Sequence, residues 1–286
     1  FVIDDSSRTS GDLGAFGAPQ VHIDAPGNPE LALAVAEEAR AAGLPVALRQ
    51  ADRRLAPGVL DHGALVPLSF LDRAGAYPLV EISLAFLPLR DHHTLGRAIR
   101  SAARRLGRRV AFLASGDCSH RLTRDAPAGY SPRGAEFDRT LVELVRVGDL
   151  EGFERIDPGL VEAAGECGLR SFVTLAGFVE GADVTTEFLA YEGPWGVGYL
   201  TAIVSDAALS GCSAGDSAVT APGAVPEHDD VPPAAVPDTA AAESPPVVLA
   251  RRTIEAYVRD HRTIEPPQEP GLLGTQAGAF VSLHRG

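Results

Sequence analysis

Two histidines stand in motifs whose residue types suit metal binding or proton transfer. His62 lies in Asp61-His62-Gly63, and His120 ends the segment Ser115-Gly116-Asp117-Cys118-Ser119-His120. Each motif follows an apolar run, so we expect each to lie on a loop that leaves a buried strand. In open α/β sheets such loops line the ligand crevice at the carboxyl ends of the strands. An imidazole at that position can ligate a metal or transfer a proton near neutral pH.

Each of these residues also has a purely structural interpretation. His62 is either a metal ligand or a buried histidine bonded to a backbone carbonyl, and the motif alone favours neither. His120 is either an acid–base group or a histidine that caps its loop. Asp117 either orients an imidazole or caps the same loop. The two histidines therefore predict a site without identifying a reaction.

A carboxylate and a thiol stand side by side in Gly165-Glu166-Cys167-Gly168. Two histidines and one carboxylate suit non-haem Fe(II), which keeps open positions for substrate and O₂. A thiolate in place of the carboxylate makes the site softer and more oxidisable. Taken alone, Cys167 is better explained as a small buried apolar residue near a helix start.

The other histidines are interpreted as structural. His92 and His93 fall in the first turn of an Arg-rich helix and are expected to be solvated, and His22 is expected in a turn.

Composition excludes several classes of function. The formal net charge of −13 argues against nucleic-acid binding, which needs a basic patch. No apolar run approaches the roughly 18 residues of a membrane span. Three cysteines are too few for a disulfide framework and favour the reducing cytoplasm. Phosphate-loop, dinucleotide and serine-hydrolase motifs are missing from the sequence.

Strand and helix signals alternate along the first two thirds of the chain. This alternation predicts an α/β fold with a mainly parallel central sheet flanked by helices. The predicted helices run over 31–42, 91–107, 131–145, 159–164 and 169–179. The predicted strands run over 1–3, 45–48, 79–86, 110–114, 188–191 and 197–204.

A change of composition near residue 206 predicts three segments. Residues 1–205 form the α/β domain, and the Ala- and Pro-rich stretch 206–246 is expected to be a disordered linker. Helical periodicity returns over 247–261, a Pro-rich turn and a strand follow, and we interpret 247–286 as the beginning of a partial α+β domain. Both ends resemble the middle of a domain, so we expect the chain to be a fragment.

Several motifs resemble a known superfamily. Asp24-Ala25-Pro26-Gly27-Asn28-Pro29-Glu30, together with the two histidine motifs, resembles the LigB-like class III extradiol dioxygenases. Glu166-Cys167-Gly168-Leu169-Arg170-Ser171 and the segment from Tyr191 to Tyr199 look like the Memo-related branch found in AmmeMemoRadiSam system protein A. In that branch a LigB-like domain is fused to an AMMECR-type domain, and 249–283 is similar to the beginning of the latter.

The resemblance implies a set of roles for the candidate residues. His62 corresponds to the second metal histidine of an Fe(II) site, and His120 to the acid–base residue. Cys167 falls where Memo-like members have a ligand cysteine, and Glu166 is the adjacent alternative. The family's first metal histidine is expected upstream of Phe1.

Two functions follow from the resemblance. The first is an Fe(II)-dependent, dioxygenase-like oxidoreductase that cleaves a catechol-type or other chelating aromatic molecule with O₂. The second is a metal-binding component of an AmmeMemoRadiSam modification system, which acts with a radical-SAM partner and without ring cleavage. Neither implies a nucleic-acid or membrane partner.

Overall fold

A computed structural model describes residues 1–51, 56–72 and 74–206. The predicted linker and the predicted start of a second domain lie outside the described residues, apart from Asp206 at the end of the last strand. None of the described helices is both long enough and apolar enough to cross a membrane.

The described part of the chain contains six α-helices and seven strands. The strands are β1 (Val2–Ile3), β2 (Arg8–Leu13), β3 (Ala18–Pro26), β4 (Ala47–Leu48), β5 (Ile82–Ser83), β6 (Val184–Glu192) and β7 (Tyr199–Asp206). The helices are α1 (Pro29–Ala41), α2 (His62–Leu71), α3 (Leu89–Arg105), α4 (Pro132–Arg146), α5 (Pro158–Ala164) and α6 (Leu169–Val179). The predicted α/β class is confirmed.

The described strands form one three-stranded sheet and two hairpins. The sheet has the order β4-β1-β5, in which β1 is parallel to β4 and antiparallel to β5. Strands β2 and β3 form one antiparallel hairpin, and β6 and β7 form the other. One of the two pairings in the central sheet is therefore parallel.

Helices that begin at a local capping signal were predicted well. The side chain of Asn28 accepts the backbone N–H of Leu31 at 3.1 Å, and Pro29 occupies the first turn of α1. Helix α4 begins at Pro132 as expected, and α6 has the predicted bounds. These signals lie within a few residues of the structure that they specify.

Three predicted elements need correction. Val110–Ala114 is not a strand in the structure, because its backbone forms no ladder with a described strand, even though its burial alternates as in a strand. The predicted strand 79–86 shortens to Ile82–Ser83. Helix α3 begins two residues before Asp91, so that residue lies inside the first turn instead of capping it.

Two predictions about histidines are also wrong. His92 is fully buried and packs edge-on against the ring of Phe1, with the ring centroids 5.0 Å apart. The His93 imidazole is hydrogen-bonded to the carboxylate of Glu154, which lies between α4 and α5. Neither histidine is therefore solvated. His22 lies in β3 opposite Asp12, in a hairpin that the sequence did not predict.

Two apolar clusters meet where α3 crosses α6. One cluster packs α1 and α3 against β1, and the other packs α4, α5 and α6 together. At the crossing, a Cβ on Gly96 would lie 2.0 Å from the carbonyl oxygen of Thr174, and one on Gly177 would lie 2.0 Å from that of His93. Glycine is therefore required on both helices for this close approach.

Candidate metal centre

Asp117, His120 and Cys167 bring three possible metal ligands together. Their carboxylate, imidazole and thiol ligand atoms all lie within 4.8 Å of one another. Nε2 of His120 is 3.3 Å from Oδ2 of Asp117. The backbone N–H of Asp117 donates to Sγ of Cys167 at 3.2 Å. One oxygen, one nitrogen and one sulfur donor thus converge on a single small region.

Backbone hydrogen bonds to two other segments fix the loop that carries His120. The N–H of Cys118 donates to the carbonyl of Gly198 at 2.8 Å, and the N–H of Gly198 donates back to the carbonyl of Ser119 at 2.8 Å. The N–H of His120 donates to the carbonyl of Ala164 at 3.2 Å. The loop is therefore held on one side by Gly198, the residue before β7, and on the other by the end of α5.

Cys167 reaches this loop because two glycines allow close backbone contact. A Cβ on Gly116 would lie 2.4 Å from Cα of Gly168, a distance that no side chain tolerates. The carbonyl of Asp117 accepts the N–H of Gly168 at 2.9 Å. Cys167 is consequently held beside Asp117 at the start of α6.

Glu166 has a different environment from its neighbour. Its buried carboxylate accepts the backbone N–H of Leu169 at 2.6 Å, which caps the first turn of α6. Burial is the main cause that raises the pKa of Glu166, and Nη1 of Arg170 lies 3.9 Å away. Among the described residues, Glu166 is not in the group of three converging ligands.

His62 is the first residue of α2 rather than part of a loop, which corrects the predicted setting of its motif. The side chain of Asp61 accepts the backbone N–H of Ala64 at 3.1 Å and caps this helix. The His62 ring packs at 5.3 Å from the ring of Phe16. A Cβ on Gly63 would lie 3.8 Å from Oγ of Ser115, so the start of α2 adjoins the segment leading to Asp117.

A buried ionic network that the sequence did not predict holds the start of α2. Nη1 of Arg49 donates to Oε2 of Glu81 at 2.7 Å and to Oδ2 of Asp4 at 3.1 Å. The other oxygen of Glu81 accepts the backbone N–H of Asp61 at 3.2 Å. Burial raises the pKa of Glu81, with the charge of Asp61 adding to the effect. These residues come from separate elements, so no local pattern reveals the network.

The titration of His120 follows from its two neighbours. Hydrogen bonds to Asp117 and then to Cys167 raise the pKa of His120 to about 10, although burial opposes them. The imidazole is therefore a cation in the metal-free chain at neutral pH. A metal ion that uses this nitrogen has to displace its proton. Cys118 lies next to Asp117 in the chain. Burial also raises the pKa of its thiol, so this thiol is neutral at neutral pH.

The family of the chain is shown by comparison with known proteins. Residues 3–202 match the family described as the catalytic LigB subunit of aromatic ring-opening dioxygenase. The chain belongs to the LigB family. The matched span contains all residues of the candidate site, together with almost all of the described fold.

Three relatives show how far the LigB similarity extends. A Clostridium acetobutylicum protein is 38% identical over 194 residues, or 66% of this chain and 42% of that protein. The 3,4-dihydroxyphenylacetate 2,3-dioxygenase of Escherichia coli is 31% identical over 163 residues, 54% of this chain and 57% of the enzyme. The 2-aminophenol 1,6-dioxygenase beta subunit of a Pseudomonas species is 30% identical over 152 residues, with 47% and 48% covered. The chain thus spans about half the length of these relatives.

Proposed function

We propose that this chain is the metal-binding part of an extradiol-type, dioxygenase-like oxidoreductase. Its substrate would be a catechol-type or other chelating aromatic molecule, with O₂ as the second substrate. The convergence of Asp117, His120 and Cys167 inside the LigB span carries this proposal. The names of two relatives support the substrate class, since both are dioxygenases of ring compounds with adjacent hydroxyl or amino groups.

The donor set fits Fe(II). Non-haem iron takes imidazole and carboxylate ligands with positions left open, and thiolate is a softer ligand that iron also accepts. We propose His62 and Cys167 as protein ligands. The resemblance implies that role for His62, which is not in the converging group of the described residues, whereas the Cys167 thiol lies in that group beside the acid–base residue His120. Cys167 is better supported than Glu166, because the Glu166 carboxylate accepts the Leu169 N–H while the Cys167 thiol lies in the converging group.

The acid–base role falls to His120. Bound iron would supply a centre at which a chelating substrate and O₂ are held side by side. His120, which carries its proton at neutral pH, would donate that proton from an imidazole nitrogen and take one back. Asp117 stabilises the protonated imidazole, since its Oδ2 lies 3.3 Å from Nε2. The Cys118–Ser119 backbone keeps this pair in place through its bonds to Gly198.

Iron content tests the proposed ligands. Because the family's first metal histidine is expected upstream of Phe1, iron is measured in the full-length protein. After anaerobic purification we expect about one iron per chain, and loss of iron in His62→Ala and in Cys167→Ser. Glu166→Gln is the matched control: it should keep iron and lose only thermal stability, because it weakens the cap of α6. Iron-dependent O₂ uptake with a catechol then tests the reaction. Unchanged iron in both ligand variants would contradict the assignment.

A second candidate function is favoured by the thiol at position 167. A cysteine donor makes the centre softer and more oxidisable than two histidines with a carboxylate. This donor favours the Memo-related branch. In that case the chain is the metal-binding component of an AmmeMemoRadiSam modification system, and its LigB-type domain is fused to an AMMECR-type domain. Tight iron binding without catechol-dependent O₂ uptake, and co-purification with a radical-SAM protein, would support this second function over the first.

A further inference from the structure

A buried carboxylate from α4 lies directly behind the loop that carries His120. Asp138 is 1% exposed, and its Oδ1 accepts the backbone N–H of Ser119 at 2.7 Å. Its Oδ2 accepts the hydroxyl of Tyr191, on β6, at 2.5 Å. Hydrogen bonds to an ionised carboxylate at such distances are among the stronger ones in proteins.

The start of β7 packs against the same carboxylate. A Cβ on Gly198 would lie 2.0 Å from Oδ2 of Asp138, so only glycine allows this approach. Gly198 is also the residue that exchanges two backbone hydrogen bonds with Cys118 and Ser119. Tyr191 and Gly198 belong to one segment, Tyr191 to Tyr199, for which the resemblance to the Memo-related branch implies no residue role.

We propose that Asp138 and Tyr191 are positioning residues for His120. Asp138 fixes the N–H of Ser119, the residue next to His120, and the hydroxyl of Tyr191 fixes the orientation of the Asp138 carboxylate. Burying a carboxylate is costly unless it is fully hydrogen-bonded, so an apolar contact would join helix and hairpin more cheaply. What the carboxylate adds is a directed bond to one N–H of the loop. The expected effect on metal affinity rests on the metal-binding function proposed above.

The test compares two hydroxyl groups on the same strand. Tyr191→Phe removes the bond to Asp138. Thr186→Val is the matched control, because the Thr186 hydroxyl also joins β6 to α4, through the carbonyl of Val145 at 2.9 Å, but away from the loop. Two readouts are used on the 286-residue chain: the imidazole NMR resonances of His120 without metal, and the affinity for Co(II) alone, followed by absorbance.

We expect Tyr191→Phe to move the His120 resonances and to weaken Co(II) binding about tenfold, the lower end of the effect of residues that orient metal ligands. Thr186→Val should leave the His120 resonances and the Co(II) affinity unchanged, while lowering the melting temperature about as much as Tyr191→Phe does. Equal effects of the two variants on His120 and Co(II), or no effect of Tyr191→Phe, would overturn the positioning role.

A second variant and the metal-free readout keep the two proposals separable. Asp138→Asn replaces Tyr191→Phe if that variant does not fold. Its amide keeps an oxygen for the Ser119 N–H but is a weaker acceptor than the carboxylate, so a smaller shift of the His120 resonances is expected. If the unmodified chain binds neither Co(II) nor Fe(II), the proposed function fails. The NMR comparison then still decides whether Asp138 and Tyr191 position His120.

Discussion

Burying the charged carboxylate of Asp138 costs free energy, and this cost can be measured as a pH dependence of the free energy of unfolding. Burial raises the pKa of Asp138 to about 6, although the hydrogen bonds from Tyr191 and from the Ser119 N–H oppose the shift. An aspartate in an unfolded chain titrates near 3.9. Between these two values the folded protein binds more protons than the unfolded protein, so this group makes the free energy of unfolding fall as the pH rises.

The pH dependence of stability should therefore differ between the unmodified chain and Asp138→Asn. Subtracting the free energy of unfolding of the variant from that of the unmodified chain removes the other titrating groups. We expect this difference to fall by roughly 2–3 kcal/mol between about pH 4 and about pH 7, because asparagine does not ionise. Urea unfolding of the metal-free proteins at several pH values measures it. A difference that is constant with pH, or that rises, would contradict the raised pKa.

Among the elements, α2 depends on the buried guanidinium of Arg49. This group faces two carboxylates, those of Asp4 and Glu81, and donates to the carbonyl of Val59 at 2.9 Å. Removing one partner of a buried ionic network leaves the others uncompensated, which costs about 3–5 kcal/mol. A lysine supplies the charge but not the planar fork of donors.

Arg49→Ala should lower the free energy of unfolding by about 3–5 kcal/mol, and Arg49→Lys should recover only part of that loss. Arg108→Ala serves as the control, because the pair that Arg108 makes with Glu30 at 2.9 Å is exposed and is expected to contribute less than about 1 kcal/mol. Chemical denaturation of the three variants gives the comparison. If the two alanine variants were equally stable, Arg49 would not be the centre of a buried network.

The elements also show what could be predicted from sequence. The bounds of α1, α4 and α6 were predicted within two residues or better, because their caps and stops are local. The β2–β3 hairpin was missed because β2 is mostly polar and shows no apolar alternation. The start of α2 was misassigned to a loop although Asp61 is a local cap. Val110–Ala114 is apolar enough to suggest a buried strand, but the fold leaves it half-exposed.

The candidate site was predicted from sequence less completely than the helices were. His62, His120, Glu166 and Cys167 were singled out from their residue types and from the resemblance to a known superfamily. Asp138 was not, because its partners Ser119 and Tyr191 are 19 and 53 residues away in sequence. Periodicity and capping report on neighbours within one or two turns, so they cannot reveal a carboxylate that a distant strand orients.

Across the whole molecule, the crossing of α3 and α6 joins the two apolar clusters. Gly96→Ala would place a methyl group 2.0 Å from the Thr174 carbonyl oxygen, and backbone on both helices would have to move. Overpacking of this kind usually costs about 1–3 kcal/mol. We expect at least that loss in Gly96→Ala, although alanine is a better helix former than glycine.

Thr94→Ala, at a half-buried position of the same helix whose hydroxyl donates to the Arg90 carbonyl, is the control for Gly96→Ala and should change the free energy of unfolding by less than about 1 kcal/mol. Because α6 begins beside Cys167, the glycine variant should also weaken Co(II) binding. Thermal unfolding and metal titration measure the two effects. A Gly96→Ala protein as stable as the unmodified chain would show that the helices can separate at no cost.

The bond between the Asp117 N–H and the Cys167 thiol also has a consequence for how the chain folds. It joins residues 50 positions apart, and closing so long a loop costs chain entropy before any contact repays it. Contacts of large sequence separation slow folding. During synthesis His120 leaves the ribosome before Cys167, and Gly198, which fixes their loop, follows later still. The candidate metal centre is therefore expected to form late, after the helices that surround it, and metal uptake by a nascent chain would then report that this domain has finished folding.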